Sequence, residues 1–133
     1  MVRLLVTVLG LLTFAAALQG AENPDPWAGT WVNVDTEHGG VTKLLIAEGK
    51  LGRTIQAWGR CRPTDCDWGA TPLAMFGYGT PYRFATWDPK FKDVYMILRP
   101  EKEEIAAEIF SVYKDDSRRP NHRVEYRFKR PAE

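Results

Sequence analysis

The chain predicts an all-β domain of about eight short antiparallel strands, arranged as a meander that closes into a small barrel. Three observations carry this expectation. Apolar residues recur at every second position, as where Tyr82, Phe84 and Thr86 alternate with Arg83, Ala85 and Trp87. Turn-forming groups such as Gly39-Gly40, Glu48-Gly49-Lys50 and Asp88-Pro89-Lys90 punctuate these runs. One stretch, from Trp58-Gly59-Arg60-Cys61 to Cys66-Asp67-Trp68-Gly69, folds back on itself as a hairpin. Closure follows because an open edge strand is an aggregation hazard. Eight strands enclose an interior that side chains fill or that holds one small ligand. A two-sheet β-sandwich is the alternative.

The first element is a leader. Arg3 supplies a positive charge, residues 4–18 are uncharged and mostly apolar, and the small residues Gly20 and Ala21 follow. That pattern describes a secretory signal peptide over residues 1–21. The apolar run is shorter than the roughly 20 residues that span a bilayer, so no stable membrane span is expected after cleavage. Residues 22–133 then form a single domain, secreted or periplasmic.

Strands are expected over 29–34, where Val, Thr and Trp favour extended backbone, then over 41–47, 51–61, 66–74, 82–87, 94–99, 105–113 and 123–128. Residues 100–110 also fit a helix, because Glu-Lys-Glu-Glu precedes Ile-Ala-Ala-Glu and these residue types prefer helix.

In the hairpin, setting Cys61 opposite Cys66 places Gly59 against Trp68, Trp58 against Gly69 and Arg60 against Asp67. Each indole then shields a bare glycine, and the charged pair is of opposite sign. Ile55, Ala57, Cys61, Cys66, Trp68 and Ala70 share the inner face; Gln56, Trp58, Arg60, Asp67 and Thr71 share the outer. In an exported chain the two cysteines favour a disulfide, a clip contributing about 2 kcal/mol for so short a loop. A metal site is the alternative, but His38 and His122 are the only histidines and neither stands at metal-ligand spacing from the cysteines.

The chain carries 18 basic and 17 acidic residues, and loss of Arg3 with the leader leaves 17 of each. Such balance exerts no overall pull on nucleic acid or anionic lipid. The basic cluster Arg118-Arg119, Arg123, Arg127, Lys129 and Arg130 is interleaved with acids and reads as a solvated strand face. Catalytic patterns are thin. Ser111 and Ser117 are the only serines, and neither lies in Gly-x-Ser-x-Gly. Disulfide-bonded cysteines offer no thiolate. Asp65 and Asp67 read as turn capping and ion pairing beside Arg60 and Arg62. No enzyme activity, metal or cofactor is expected.

Gly29-Thr30-Trp31-Val32-Asn33 resembles the Gly-x-Trp opening of calycin barrels, the lipocalin and avidin group. The resemblance implies that Trp31 closes the barrel floor beneath an arginine of the last strand, Arg127 or Arg123, and that Asn33 faces a ligand. The middle Thr-Asp-Tyr signature of lipocalins is absent, and Glu37 stands where an avidin keeps serine, so biotin is not implied. The Trp-Gly-x-Cys to Asp-Cys-Asp-Trp-Gly stretch also resembles one in small uncharacterised bacterial exported proteins.

Five Trp and five Tyr point to recognition, since aromatics serve both ligand walls and interfaces. Two functions follow. The first is a small-molecule binding barrel with Trp31, Asn33 and Tyr126 lining its interior or mouth. The second is a protein-interaction or inhibitor-like module whose outer face centres on Trp58 and Arg60.

Overall fold

The computed structural model describes residues 25–132 other than 36, 38 and 39. The expected signal peptide over 1–21 and His38 lie outside them. The strands are β1 Gly29–Asn33, β2 Val41–Gly49, β3 Gly52–Gly59, β4 Cys66–Pro72, β5 Ala74–Met75, β6 Arg83–Trp87, β7 Lys92–Glu101, β8 Glu104–Tyr113 and β9 His122–Lys129. They form one antiparallel sheet in the order β4-β3-β2-β1-β9-β8-β7-β6-β5. The expected eight become nine because Pro72 cannot donate to a ladder. The chain breaks at buried Leu73, whose N–H bonds the Arg53 carbonyl at 2.9 Å, and β5 begins beyond it.

First and last strands meet. Val32 pairs with Lys129 and Asn33 with Phe128, joining the two halves of the meander. The sheet is therefore a nearly closed barrel and not a sandwich. Its remaining seam, between β4 and β6, is sealed by side chains. Trp68 meets Trp87 edge-on with centroids 5.7 Å apart, and Trp87 Nε1 donates to the Gly69 carbonyl at 3.0 Å.

Alternation builds the interior. Leu44 and Ile46, Ile55 and Ala57, Ala85 and Trp87, Val94, Met96 and Leu98, and Ile105, Ala107 and Ile109 all point inward and are buried with Phe128. This burial overrides the helical preference of Ala and Glu in 104–113, because only an extended β8 puts Ile105, Ala107 and Ile109 on one face. Outward, Arg99, Arg123 and Arg127 alternate with Glu125, Glu108 and Glu104 in a cross-strand ion ladder, with Arg99–Glu125 at 2.7 Å and Arg127–Glu104 at 2.9 Å.

The disulfide hairpin exists, with a corrected register. Cys61 and Cys66 are bonded, their Cα atoms 5.4 Å apart, which excludes them as metal ligands. Gly59, however, pairs with Cys66 and Trp58 with Asp67, while Gln56 pairs with Ala70 and Ile55 with Thr71. Trp68 and Gly69 together therefore oppose Ala57, a bulge with Gly69 at φ +81°. The extra residue swaps the faces beyond it, so Ala70 is exposed and Thr71 turns toward Ile55, the reverse of the expected assignment, and Cys66, expected inward, is exposed as well. Asp67 stands opposite Trp58 and not Arg60. It accepts from both the Gln56 amide at 2.8 and 2.9 Å and the Gly69 N–H at 2.8 Å.

Candidate functional site

The barrel has two ends with different chemistry. At the floor, residues 25–28 cross beneath the strands. Trp31 is buried, and its Nε1 donates to the Trp27 carbonyl at 2.9 Å. Arg130 lies over the Trp31 ring and donates to the carbonyls of Ala28 at 2.7 Å and Pro26 at 3.0 Å. Arg53 anchors the segment further through an ion pair with Asp25. The arginine over Trp31 is thus neither Arg127 nor Arg123, which sit outside in the ion ladder. Parity carries the signal: Arg130 shares the inward phase of Tyr126 and Phe128, and Arg127 does not. A hollow of about 750 Å³ adjoins this floor between Trp27 and the turn before β8. Its wall carries three cations, Lys102, Lys129 and Arg130, of which Arg130 is committed to the floor.

The opposite end gathers Gly40, the disulfide turn, the β6–β7 turn and the β8–β9 loop. The Arg60 N–H bonds the Gly40 carbonyl at 2.8 Å, tying the first two together. Asn33 stands here, buried. Its amide donates to the Val41 carbonyl at 2.7 Å and its side-chain oxygen accepts from the Asp35 N–H at 2.8 Å, so both groups fasten the loop. Tyr126 also stands here, packed on the core, and a Cβ at Gly40 (φ +83°) would collide with its hydroxyl. Burial, then the nearby Asp35 carboxylate, raises the Tyr126 pKa. Trp58 lies on the outer wall, half-buried beneath the Lys43 ammonium, 4.1 Å from the ring centroid. The five residues expected to form a site therefore occupy three places: Trp31 at the floor, Asn33 and Tyr126 within the far end, and Trp58 and Arg60 on its outer rim.

Beside the seam at this far end opens a cleft of about 360 Å³, walled by Trp68, Trp87, Phe91, Val94 and the disulfide, with the carboxylates of Asp67 and Asp88 also in its lining. Trp68 is positioned by the bulge and by a glycine: a Cβ at Gly59 would lie 2.7 Å from Trp68 Nε1. The expected cover of Gly59 by Trp68 is therefore real, reached diagonally and not by direct pairing, whereas Trp58 does not cover Gly69, where a Cβ would meet nothing within 4 Å. Lys92 lies alongside, half-buried, with Nζ 5.8 Å from the Trp68 centroid, 5.7 Å from Phe91 and 5.6 Å from Tyr113. Burial chiefly, and the Arg119 charge secondarily, lower its pKa. Nearby, a single lysine, Lys114, binds both Asp88 at 3.0 Å and Asp93 at 2.9 Å.

Sequence reasoning missed Lys92 because it began the strand at Val94. Extending β7 by two residues puts Lys92 in phase with Val94 and directly opposite Tyr113. Trp87 and Phe91 carried no local mark of a shared wall, since a side-chain seal across an unpaired seam leaves no sequence pattern. Compared with family models, curated proteins and solved structures, the chain matches none.

Proposed function

We propose that this protein is an exported, non-catalytic binding barrel that holds a small ligand in the cleft at its disulfide end. The observation that carries the reading is the cleft itself, an aromatic recess of about 360 Å³ opening beside an interior already filled with side chains. That volume lies in the lower range of small-molecule sites. The ligand thus sits at the mouth, against Trp68 and Trp87, and the barrel body serves as a rigid frame. A calycin-like identity belongs to the same reading, supported by the nearly closed antiparallel barrel and by Trp31 beneath Arg130. Export is supported by the apolar leader and by a disulfide suited to an oxidising compartment.

A second reading, a protein-interaction module, draws support from another face than the one around Trp58 and Arg60. Phe76, Phe84 and Tyr95 form a contiguous aromatic strip on the outside of β5–β7, with centroids 5.8 and 6.4 Å apart, and Phe76 is 46% exposed. Native mass spectrometry of protein purified from its own secretion route separates the two. A retained small mass that disappears in Trp68→Ala is the outcome expected for the binding barrel. A second protein chain without any small mass would overturn it in favour of the module.

A further inference from the structure

We propose that the floor end of the barrel docks on an anionic lipid surface, with Leu51 and Tyr78 entering the headgroup layer and a rim of cations meeting the lipid charge. The inference is independent of the cleft, which opens at the other end. It begins with topology. Each strand of the meander reverses the last, so the turn at Lys50-Leu51, the loop over 76–82 and the turn at Lys102-Glu103 all project from the end that carries Trp27 and Arg130. Side chains tie these elements to the floor. Arg53 at the start of β3 pairs with Asp25, and Arg83 at the start of β6 lies over the Trp27 ring, 5.3 Å from its centroid.

At two of these tips a large side chain has no cover. Leu51 and Tyr78 are fully exposed, and Met75 at the end of β5 is more than half exposed. Separate projecting tips fit a protein partner poorly, because a stable protein interface needs a contiguous patch of matched shape. They suit a lipid headgroup layer, which deforms around each tip. There leucine gains an apolar boundary, and tyrosine keeps its hydroxyl in water while its ring leaves it.

The charges at this end select the kind of lipid. Arg53 holds both Asp25 and Glu48, and Arg127 holds both Glu104 and Glu101. Among the described residues five further cations, Lys50, Arg83, Lys102, Lys129 and Arg130, stand here against one further acid, Glu103. None of the five pairs with a described carboxylate. Arg83 and Arg130 donate to backbone carbonyls, which leave their charge uncancelled, and Lys102, Lys129 and Arg130 together wall the hollow beside the floor. The chain as a whole is nearly balanced, so this excess is local. Each lysine or arginine near an anionic leaflet adds attraction that salt screens, whereas burial of the apolar tips adds a part that salt does not screen. A neutral leaflet would use only the tips.

The test is co-sedimentation of exported protein, its leader shown absent by mass, with vesicles of phosphatidylcholine alone or mixed with phosphatidylglycerol. The mixed vesicles should bind at least about tenfold more tightly than the neutral ones, and added salt should weaken that binding without abolishing it. Leu51→Asp with Tyr78→Asp should lower binding to the mixed vesicles at least about tenfold. Lys50→Gln with Lys102→Gln should remove most of the preference for them, and Lys90→Gln at the opposite end should change nothing. All five side chains are exposed, and circular dichroism checks that the variants fold. Binding to neither vesicle, or binding that Leu51→Asp with Tyr78→Asp leaves unchanged, would overturn the proposal. Equal binding to both vesicles would overturn the selection of anionic lipid. A second protein chain in native mass spectrometry that Leu51→Asp with Tyr78→Asp releases would assign the tips to a protein interface instead. None of these outcomes touches the cleft, which Trp68→Ala tests separately.

Discussion

The guanidinium of Arg130 lies over the indole of Trp31, its central carbon 4.4 Å from the ring centroid, while its two terminal nitrogens reach the carbonyls of Ala28 and Pro26. One side chain thus joins the end of the chain to its first strand and covers the barrel floor. Trp31→Ala should cost about 3–5 kcal/mol, the range for removing a large buried aromatic. Arg130→Lys keeps the charge but loses the planar fork, and should cost about 1–2 kcal/mol. Urea denaturation measures both, and tolerance of Trp31→Ala within about 1 kcal/mol would show that the floor does not depend on this stack.

Two glycines of the hairpin act differently. At Gly59 a side chain would strike the Trp68 indole, so Gly59→Val should displace that ring from Trp87 and shift tryptophan emission. At Gly69 a Cβ would meet nothing within 4 Å, but φ is +81°. Gly69→Val should therefore destabilise by about 1–3 kcal/mol through backbone strain alone. An emission change in Gly69→Val as large as that in Gly59→Val would contradict this division.

Reduction of Cys61–Cys66 should loosen the far end while the barrel stays folded. The bond closes a short loop, worth about 2 kcal/mol in the chain-entropy model, and the buried core lies elsewhere. Far-ultraviolet circular dichroism should remain that of a β-protein, with a lower urea midpoint. Collapse of the β signal on reduction would assign the disulfide a larger role.

The carboxyl of Asp67 is held below its ordinary value of 3.8, first by the Gln56 amide and next by the Gly69 N–H. A carboxylate with a depressed folded pKa stabilises above its unfolded pKa, and that contribution is lost as pH falls through the folded value. Asp67→Asn should lower stability at neutral pH and reduce the slope of stability with pH below the ordinary value of 3.8, where protonation would occur. A slope identical to that of the parent protein would show that Asp67 is not part of the acid transition.

Export makes a direct prediction about the start of the mature chain. N-terminal sequencing of exported protein should begin between Leu18 and Pro24, after the apolar run. Membrane-bound protein that retains Met1 would overturn it.

Local signals reached as far as their own few residues. Two-residue alternation, spaced turn groups and the cysteine pair were enough for an all-β barrel, for a disulfide hairpin and for Trp31 in the core, because each depends on neighbours in sequence. The bulge at Trp68-Gly69 was beyond them: an extra residue in one strand is set by what the ring of Trp68 meets across the seam, and it reversed Ala70 and Thr71. Arg130 over Trp31 likewise required the last strand to lie beside the first, which only closure of the sheet decides. Lys92 shows the same limit most clearly. Its phase with Val94 is a sequence property, but its three aromatic neighbours come from β4, the β6–β7 turn and β8. Alternation says which way a side chain points; the folded barrel alone decides what waits there, because those partners are distant in the chain and meet only when the sheet closes.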